Sequence, residues 1–217
     1  MKIRTTANLT IIDDVFTERE IQIMDNWFAQ YTMWGLGYDS QEYGASSATL
    51  CRSLKFNQWV GYHALLGDVC NIMSERIEAE TDIKVPLFQR CLINNFKFGD
   101  SPMFHKDATV PKARTFMVYP NMTWDKNWGG YTVFADDNGE VIDVAWPKPG
   151  RVVVFSGNLD HCGVAPTKVH KGFGRYSIAY QDPSEDGTGA DRRGCDEKDV
   201  EKTSLVSQYG NNFFRLL

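Results

Sequence analysis

Residues 131–155 read YTVFADDNGEVIDVAWPKPGRVVVF, and the alternation of apolar runs with turn residues in this stretch decides the fold. Asp136-Asp137-Asn138-Gly139 is a hairpin turn signal, because Asn and Gly tolerate the positive φ that tight connections between antiparallel strands demand. Lys148-Pro149-Gly150 is a second turn, with Pro fixing one φ and Gly freeing the next. The runs 130–134, 140–145 and 151–155 on either side are short and rich in Val, Ile, Phe and Thr, which is how strands read.

Working outward, runs of the same kind at 88–97, 103–108, 114–119, 160–164 and 174–181 are broken by Gly, Pro, Asn and Asp at the spacing of an antiparallel sandwich or barrel. The N-terminal part reads differently. Leu9 to Ile12 is a short strand, and Thr17-x-x-Glu20 is a capping box that opens a helix with Ile21, Met24, Trp27 and Phe28 as its apolar members, ending near Tyr31. Gly35 to Ala48 is rich in Gly, Ser and Tyr, follows neither period, and reads as a long surface loop. A second helix from Gln58 to Glu80 repeats Trp59, Leu65, Leu66, Val69, Ile72, Met73 and Ile77 at helical spacing, which suits packing across a sheet. Helices followed by a series of strands predict a mostly β fold with supporting helices, its core a double-stranded β-helix of the jelly-roll or cupin-like kind. The 217 residues suit one domain, against a prior of roughly 100 to 200 residues per domain. Its expected parts are helical support over 1–82, the β core over 83–182 and a flexible tail over 183–217. That tail is polar and solvated over 183–202 and apolar again from Asn211 to Leu217, where it is suited to dock on the body or on a partner.

A net charge of -5, a pI near 5.4 and no cluster of Lys and Arg argue against a protein built to neutralise nucleic-acid phosphates, while leaving a nucleotide substrate open. Cys51, Cys70, Cys91, Cys162 and Cys195 are odd in number and lack CxxC spacing, so reduced thiols of a cytosolic protein are expected rather than a disulfide framework or a zinc ribbon. Too few apolar residues follow Met-Lys-Ile-Arg-Thr-Thr for a targeting segment, and nowhere do about 18 apolar residues run together. The expectation is a cytoplasmic protein without a membrane partner.

The chemistry sits in His105-Lys106-Asp107, His161 and Arg175-x-Ser177. Read as a strand, His105 and Asp107 project from the same face, being two residues apart. Two imidazoles and a carboxylate are the facial set that holds non-haem Fe(II) and leaves coordination positions open. A keto acid chelated at such a centre has a far carboxylate that needs a buried, two-pronged cation, and Arg175 has that geometry. Alternation puts Ser177 on the face of Arg175, where its hydroxyl can reach the same carboxylate. Tyr119, closing the run Thr115-Phe-Met-Val-Tyr119, is a third candidate donor from a neighbouring strand. Taken singly, each of these residues has an ordinary reading: Arg175 a surface ion pair, Tyr119 a buried core tyrosine, an HxD triplet a chance pattern. Their joint order is what points to a site. His63 on the second helix and His170 in a Lys-flanked loop read as structural or solvent-facing, and Trp124, Trp128 and Trp146 as packing at loop and sheet edges. Trp146 or Tyr131 is placed to line a substrate mouth.

The ordered series Asn94-x-Phe96-x-Phe98-Gly99, His105-x-Asp107, Thr115-x-x-x-Tyr119-x-Asn121, Trp128-Gly129-Gly130-x-x-x-Phe134, Pro147-x-Pro149-Gly150-Arg151, Phe155-x-Gly157, His161-x-x-x-x-Pro166 and Gly174-Arg175-x-Ser177 resembles the prolyl-4-hydroxylase-like Fe(II)- and 2-oxoglutarate-dependent dioxygenases, in the style of their small bacterial and bacteriophage members. The resemblance spans residues 88 to 182. It implies His105, Asp107 and His161 as iron ligands, and Arg175 as the anchor of the distal carboxylate of 2-oxoglutarate with Tyr119 as its hydroxyl partner. It also implies that Gly129-Gly130 begins a strand closing the site, that O2 is consumed, and that ascorbate can assist. The implied reaction hydroxylates an unactivated C–H bond, of a prolyl residue in a peptide or protein or of a free amino acid, and releases succinate and CO2. Because Asp107 is present, no iron position is vacated for chloride, which argues against halogenation. The chain departs from the family pattern at Phe96, where a tyrosine is usual, and at Gln181, where a tryptophan often stands near substrate.

Two other readings compete. Nucleic-acid demethylation of the AlkB type uses the same iron site, but its last strand resembles Arg-x-x-x-x-x-Arg, and here Gln181 follows Arg175. A jelly-roll interaction module that holds a metal without turnover would have no need of Arg175. Specificity is expected in 35–48, in the segment after Asp107 and in the tail beyond Asp182, which would surround the open face of the iron. A monomer and a homodimer are both compatible with the sequence, and a phage-encoded protein of this kind would work in the host-cell cytoplasm.

Overall fold

In the computed structural model, residues 1–32, 34–36, 50–55, 64–86, 88, 90–100, 102–110, 112–168 and 174–182 are described. The strands are β1 (Lys2–Thr5), β2 (Leu9–Asp13), β3 (Gly35–Leu36), β4 (Leu50–Lys55), β5 (Arg90–Phe96), β6 (Arg114–Val118), β7 (Thr132–Ala135), β8 (Val141–Ala145), β9 (Val152–Ser156), β10 (Asp160–Gly163) and β11 (Arg175–Asp182). The helices are α1 (Glu18–Gln30) and α2 (Ala64–Glu80). An eight-stranded sheet runs β1-β2-β9-β6-β11-β5-β4-β3 and faces a three-stranded sheet, β10-β7-β8, with every pairing antiparallel. This is the mostly β jelly-roll class that the sequence predicts.

The helices cover the outer face of the large sheet. Thr17 caps α1 by accepting from the Glu20 N–H at 3.3 Å, while the Glu20 carboxylate accepts from the Thr17 N–H at 2.8 Å. Glu20 also takes both arms of Arg76 from α2 at 2.7 and 2.8 Å, and Arg76 donates to the Val15 carbonyl at 2.8 Å. One side chain thus caps one helix and ties it to the other. Beneath them, Met24, Phe28, Leu66, Val69 and Met73 pack on Ile93, Tyr176, Ile178 and Tyr180 as one apolar cluster. A second cluster, with Leu9, Ile11, Val153, Phe155 and Phe134, fills part of the space between the two sheets.

The structure corrects the predicted strand at 103–108. His105 makes only an isolated bridge to His161, through two N–H···O bonds of 3.0 Å. Ala108 is then held by the Gly157 carbonyl at 2.9 Å. The segment is pinned to two different acceptors rather than laid along a ladder, and Asp107 turns inward between the pins. Gly129-Gly130 likewise does not begin a strand: Gly129 bridges Pro166, and β7 starts at Thr132. Strands β1, β3 and β4 were not anticipated, and Gly35–Leu36, expected in a loop, pairs with Leu50 and Cys51. Two residues are too few to display a period of two. The rest of that expected loop, the start of the second helix with Trp59 and His63, His170 and the tail beyond Asp182 lie outside the described residues.

Candidate metal and anion site

β10 is the strand of the small sheet that faces the His105 segment, and it carries His161. The two imidazoles are oriented by the same local device. Nδ1–H of His105 donates to the Met103 carbonyl at 3.0 Å, and Nδ1–H of His161 to the Leu159 carbonyl at 3.0 Å, each acceptor two residues upstream. The Nε2 lone pairs are left to converge on Asp107, at 3.7 Å from its Oδ1 and 3.6 Å from its Oδ2. Thr115 on β6 donates to Asp107 Oδ2 at 2.6 Å, whereas Oδ1 is buried with no hydrogen-bond partner among the described residues. The candidate ligand atoms of His105, Asp107 and His161 lie within 4.8 Å of one another, a spread one ion can span, and they form a group among the described residues that could hold a metal ion. Two imidazole Nε2 atoms and an orphaned carboxylate oxygen on an open face fit Fe(II).

Burial, and then the neighbouring His161, push the His105 imidazole below its usual pKa, with Asp107 opposing them. The neutral, metal-ready form is therefore favoured at neutral pH. Phe155 and Phe134 lie against His161, with ring centroids at 4.8 and 6.0 Å, and keep water from that side.

At the other end of the same cavity lies Arg175, whose exposure is 0 %. Its Nε donates to the Gly130 carbonyl at 2.9 Å, one terminal nitrogen to Ser177 Oγ at 3.0 Å, and the other to Thr132 Oγ1 at 2.7 Å and Tyr119 Oη at 3.4 Å. The guanidinium carbon is sandwiched at 4.8 Å from the Tyr119 ring and 5.1 Å from the Phe96 ring. Two glycines make room for it and for the rings around it. A Cβ on Gly163 would stand 2.7 Å from the Phe96 ring and 3.4 Å from an Arg175 nitrogen, and one on Gly130 would meet Trp124 at 2.6 Å and Arg175 at 3.1 Å. Burial lowers the Arg175 pKa, yet guanidinium remains charged in proteins. No carboxylate among the described residues pairs with it, and one N–H of its fork is left for a ligand.

The sequence-predicted residues are thus brought together: His105, Asp107 and His161 at one end, Arg175, Ser177 and Tyr119 at the other. Tyr119 already donates to the Ala145 carbonyl at 3.2 Å and contacts Thr132 at 2.8 Å, so its evident task is to hold Arg175. Trp124 packs edge-on against Trp128, and the exposed Trp146 packs on Tyr131. The roles of Thr115, Thr132 and Gly163 escaped sequence reasoning. The only available signal for Thr132 was its place on the inward register of β7 with Phe134.

Residues 91–180 match the family model of the 2OG-Fe(II) oxygenase superfamily. No curated protein matches the chain in sequence. Among solved structures, the chain is similar to a prolyl-4-hydroxylase of Pseudomonas putida, at 14% identity and a TM-score of 0.56 over 81% of this chain and 92% of that one. It is similar to a Trichoplax adhaerens prolyl hydroxylase solved in complex with a hypoxia inducible factor peptide fragment, at 11% and 0.55 over 86% and 89%. It is also similar to an oxidoreductase of the 2OG-Fe(II) oxygenase family from Burkholderia pseudomallei, at 19% and 0.56 over 80% and 84%. At these identities the likeness is one of fold. No helix among the described residues is long and apolar enough to cross a membrane.

Proposed function

We propose, from the match of residues 91–180 to the 2OG-Fe(II) oxygenase superfamily model and the prolyl-4-hydroxylase-like fold, that the chain hydroxylates an unactivated C–H bond of a prolyl residue in a peptide or protein, or of a free amino acid, releasing succinate and CO2. An oxygenase of this superfamily works with Fe(II), 2-oxoglutarate and O2. His105 and His161 would hold the iron through Nε2 and Asp107 through Oδ1, with Thr115 fixing the carboxylate and the Met103 and Leu159 carbonyls fixing the rings. Arg175 would take the distal carboxylate of 2-oxoglutarate, assisted by Ser177 and steadied by Tyr119 and Thr132. Bound Fe(II) supplies the oxygen chemistry that couples decarboxylation of the keto acid to hydroxylation. The protein's share is to orient the cosubstrate, exclude water through Phe134, Phe155 and Met117, and present one open face to substrate.

One observation carries this reading. A fully buried guanidinium without a carboxylate beside it among the described residues is an arrangement that folding alone disfavours, and a dicarboxylate ligand relieves it. Its cavity ends at the three ligands of a metal. That the Trichoplax adhaerens hydroxylase was solved in complex with a peptide supports, for this chain, a peptide over a free amino acid. The test is anaerobic addition of Fe(II) and 2-oxoglutarate, which should give a weak visible charge-transfer band and, on admission of air, succinate. Metal-loaded protein that shows neither would refute the assignment, and a mass screen for a 16 Da gain across peptides and amino acids would identify the substrate class.

A further inference from the structure

Gln181 is 2 % exposed and lies on β11 in the same inward register as Arg175 and Ser177, where it lines the same cavity. Arg90 of β5 donates through Nε to Gln181 Oε1. Arginine offers no acceptor, so this contact settles which end of the amide is oxygen. The remaining Nε2 is buried with no hydrogen-bond partner among the described residues. Buried donors are normally satisfied, so an amide held by one end with the other unmet points to a ligand.

Its position says which one. Across the sheet Gln181 is level with Arg90 on one side and Thr115 on the other, and Thr115 is the residue whose hydroxyl holds Asp107. The amide therefore lies one strand from the carboxylate of the metal site, six residues along β11 from the anion site at Arg175. Between Gln181 and Ser177, Ala179 and Leu92 form a small apolar ledge. A ligand here would meet hydrocarbon first and then a single donor.

We propose that Gln181 is a specificity residue whose Nε2 donates to a carbonyl or carboxylate oxygen of an amino-acid unit, while the aliphatic part of that unit rests on Leu92 and Ala179. Peptide carbonyls and free carboxylates share this chemistry. The inference rests on the oxygenase reading above. It can be tested on the full-length, ¹⁵N-labelled protein loaded with Zn(II) and 2-oxoglutarate. The Gln181 side-chain amide signals are those missing from Gln181→Glu, which keeps the shape and the Arg90 contact but has no donor. Free amino acids and N-acetyl amino-acid amides are then titrated in. Saturable shifts of those signals are expected with one of the two sets, identifying the source of the oxygen. Gln181→Glu should bind the same probe about ten- to a hundredfold more weakly while holding 2-oxoglutarate within about twofold of the unaltered protein. If 2-oxoglutarate binds but no probe shifts the signals, or the variant binds the probe equally well, the proposal is wrong. If 2-oxoglutarate itself does not bind, the site reading fails and takes the proposal with it.

Discussion

Strand β11 is buried at all eight positions, yet its two faces have opposite chemistry. Tyr176, Ile178 and Tyr180 point to the helices and join the main apolar cluster. Arg175, Ser177 and Gln181 point between the sheets. Burial alone therefore does not distinguish core from site. What distinguishes them is whether the buried groups complete one another: the outer face is closed by packing, and the inner face keeps a cation and an amide donor that protein groups leave partly unmet.

Substitutions on the two faces should accordingly fail in different measurements. The largest effect is expected from Arg175→Met, which should weaken 2-oxoglutarate binding by about thirtyfold to several thousandfold, the equivalent of about 2–5 kcal/mol for a buried charge partner. The cosubstrate-free variant should melt no lower than the unaltered protein, because an uncompensated buried charge has been removed. A lower melting temperature with intact 2-oxoglutarate affinity by calorimetry would place Arg175 among structural residues and erase the contrast. On the other face, Ile178→Ala should cost about 2–5 kcal/mol in denaturant unfolding through the cavity it leaves, with 2-oxoglutarate affinity unchanged.

A smaller effect is expected from Thr115→Val, which removes the hydroxyl on Asp107 Oδ2 with little change of shape. Metal affinity should fall about ten- to a hundredfold, as for other partners of metal ligands, and equilibrium dialysis would show it. The smallest concerns Glu20, far from the cavity. Burial raises its pKa, but the bonds from Arg76 and Thr17 outweigh that and hold it below the usual carboxyl range. A carboxyl lowered in the folded state stabilises above its unfolded pKa and loses that contribution as pH falls through the folded one. Melting temperature should therefore decline as pH drops below about 4.5, and Glu20→Gln should flatten that part of the profile; an unchanged profile would remove Glu20 from the account.

The strands flanking Asp136–Gly139 and Lys148–Gly150 were legible because turn chemistry and β-branched runs agree there, and Gly139 and Gly150 do adopt φ of 82° and 66°. His105, Asp107, His161 and Arg175 were legible because few residue types carry such chemistry. Thr115 and Thr132 were not, since threonine is an ordinary strand residue and its role depends on what the register sets opposite it. The segment at 103–108 was misread because alternation of side chains survives in an extended segment with no ladder, so a pair of residues that the structure does bring together was reached through the wrong backbone. The amide at Gln181 was seen only as a departure from the family pattern. Its unmet nitrogen follows from Arg90, far away in sequence, and no local pattern reports that.

Gly163 stands two residues after His161 on β10, and the Phe96 ring that lies on Arg175 occupies the spot where a side chain would be. Two residues of strand span about 6.6 Å. The missing methyl group therefore works as a ruler: by seating the ring that backs the guanidinium, it would set how far the cation stands from the metal end, and so which chain length of keto diacid would touch both. Selectivity for five carbons over four or six would then be written in the spacing of one histidine and one glycine rather than in any group that touches the chain between its ends.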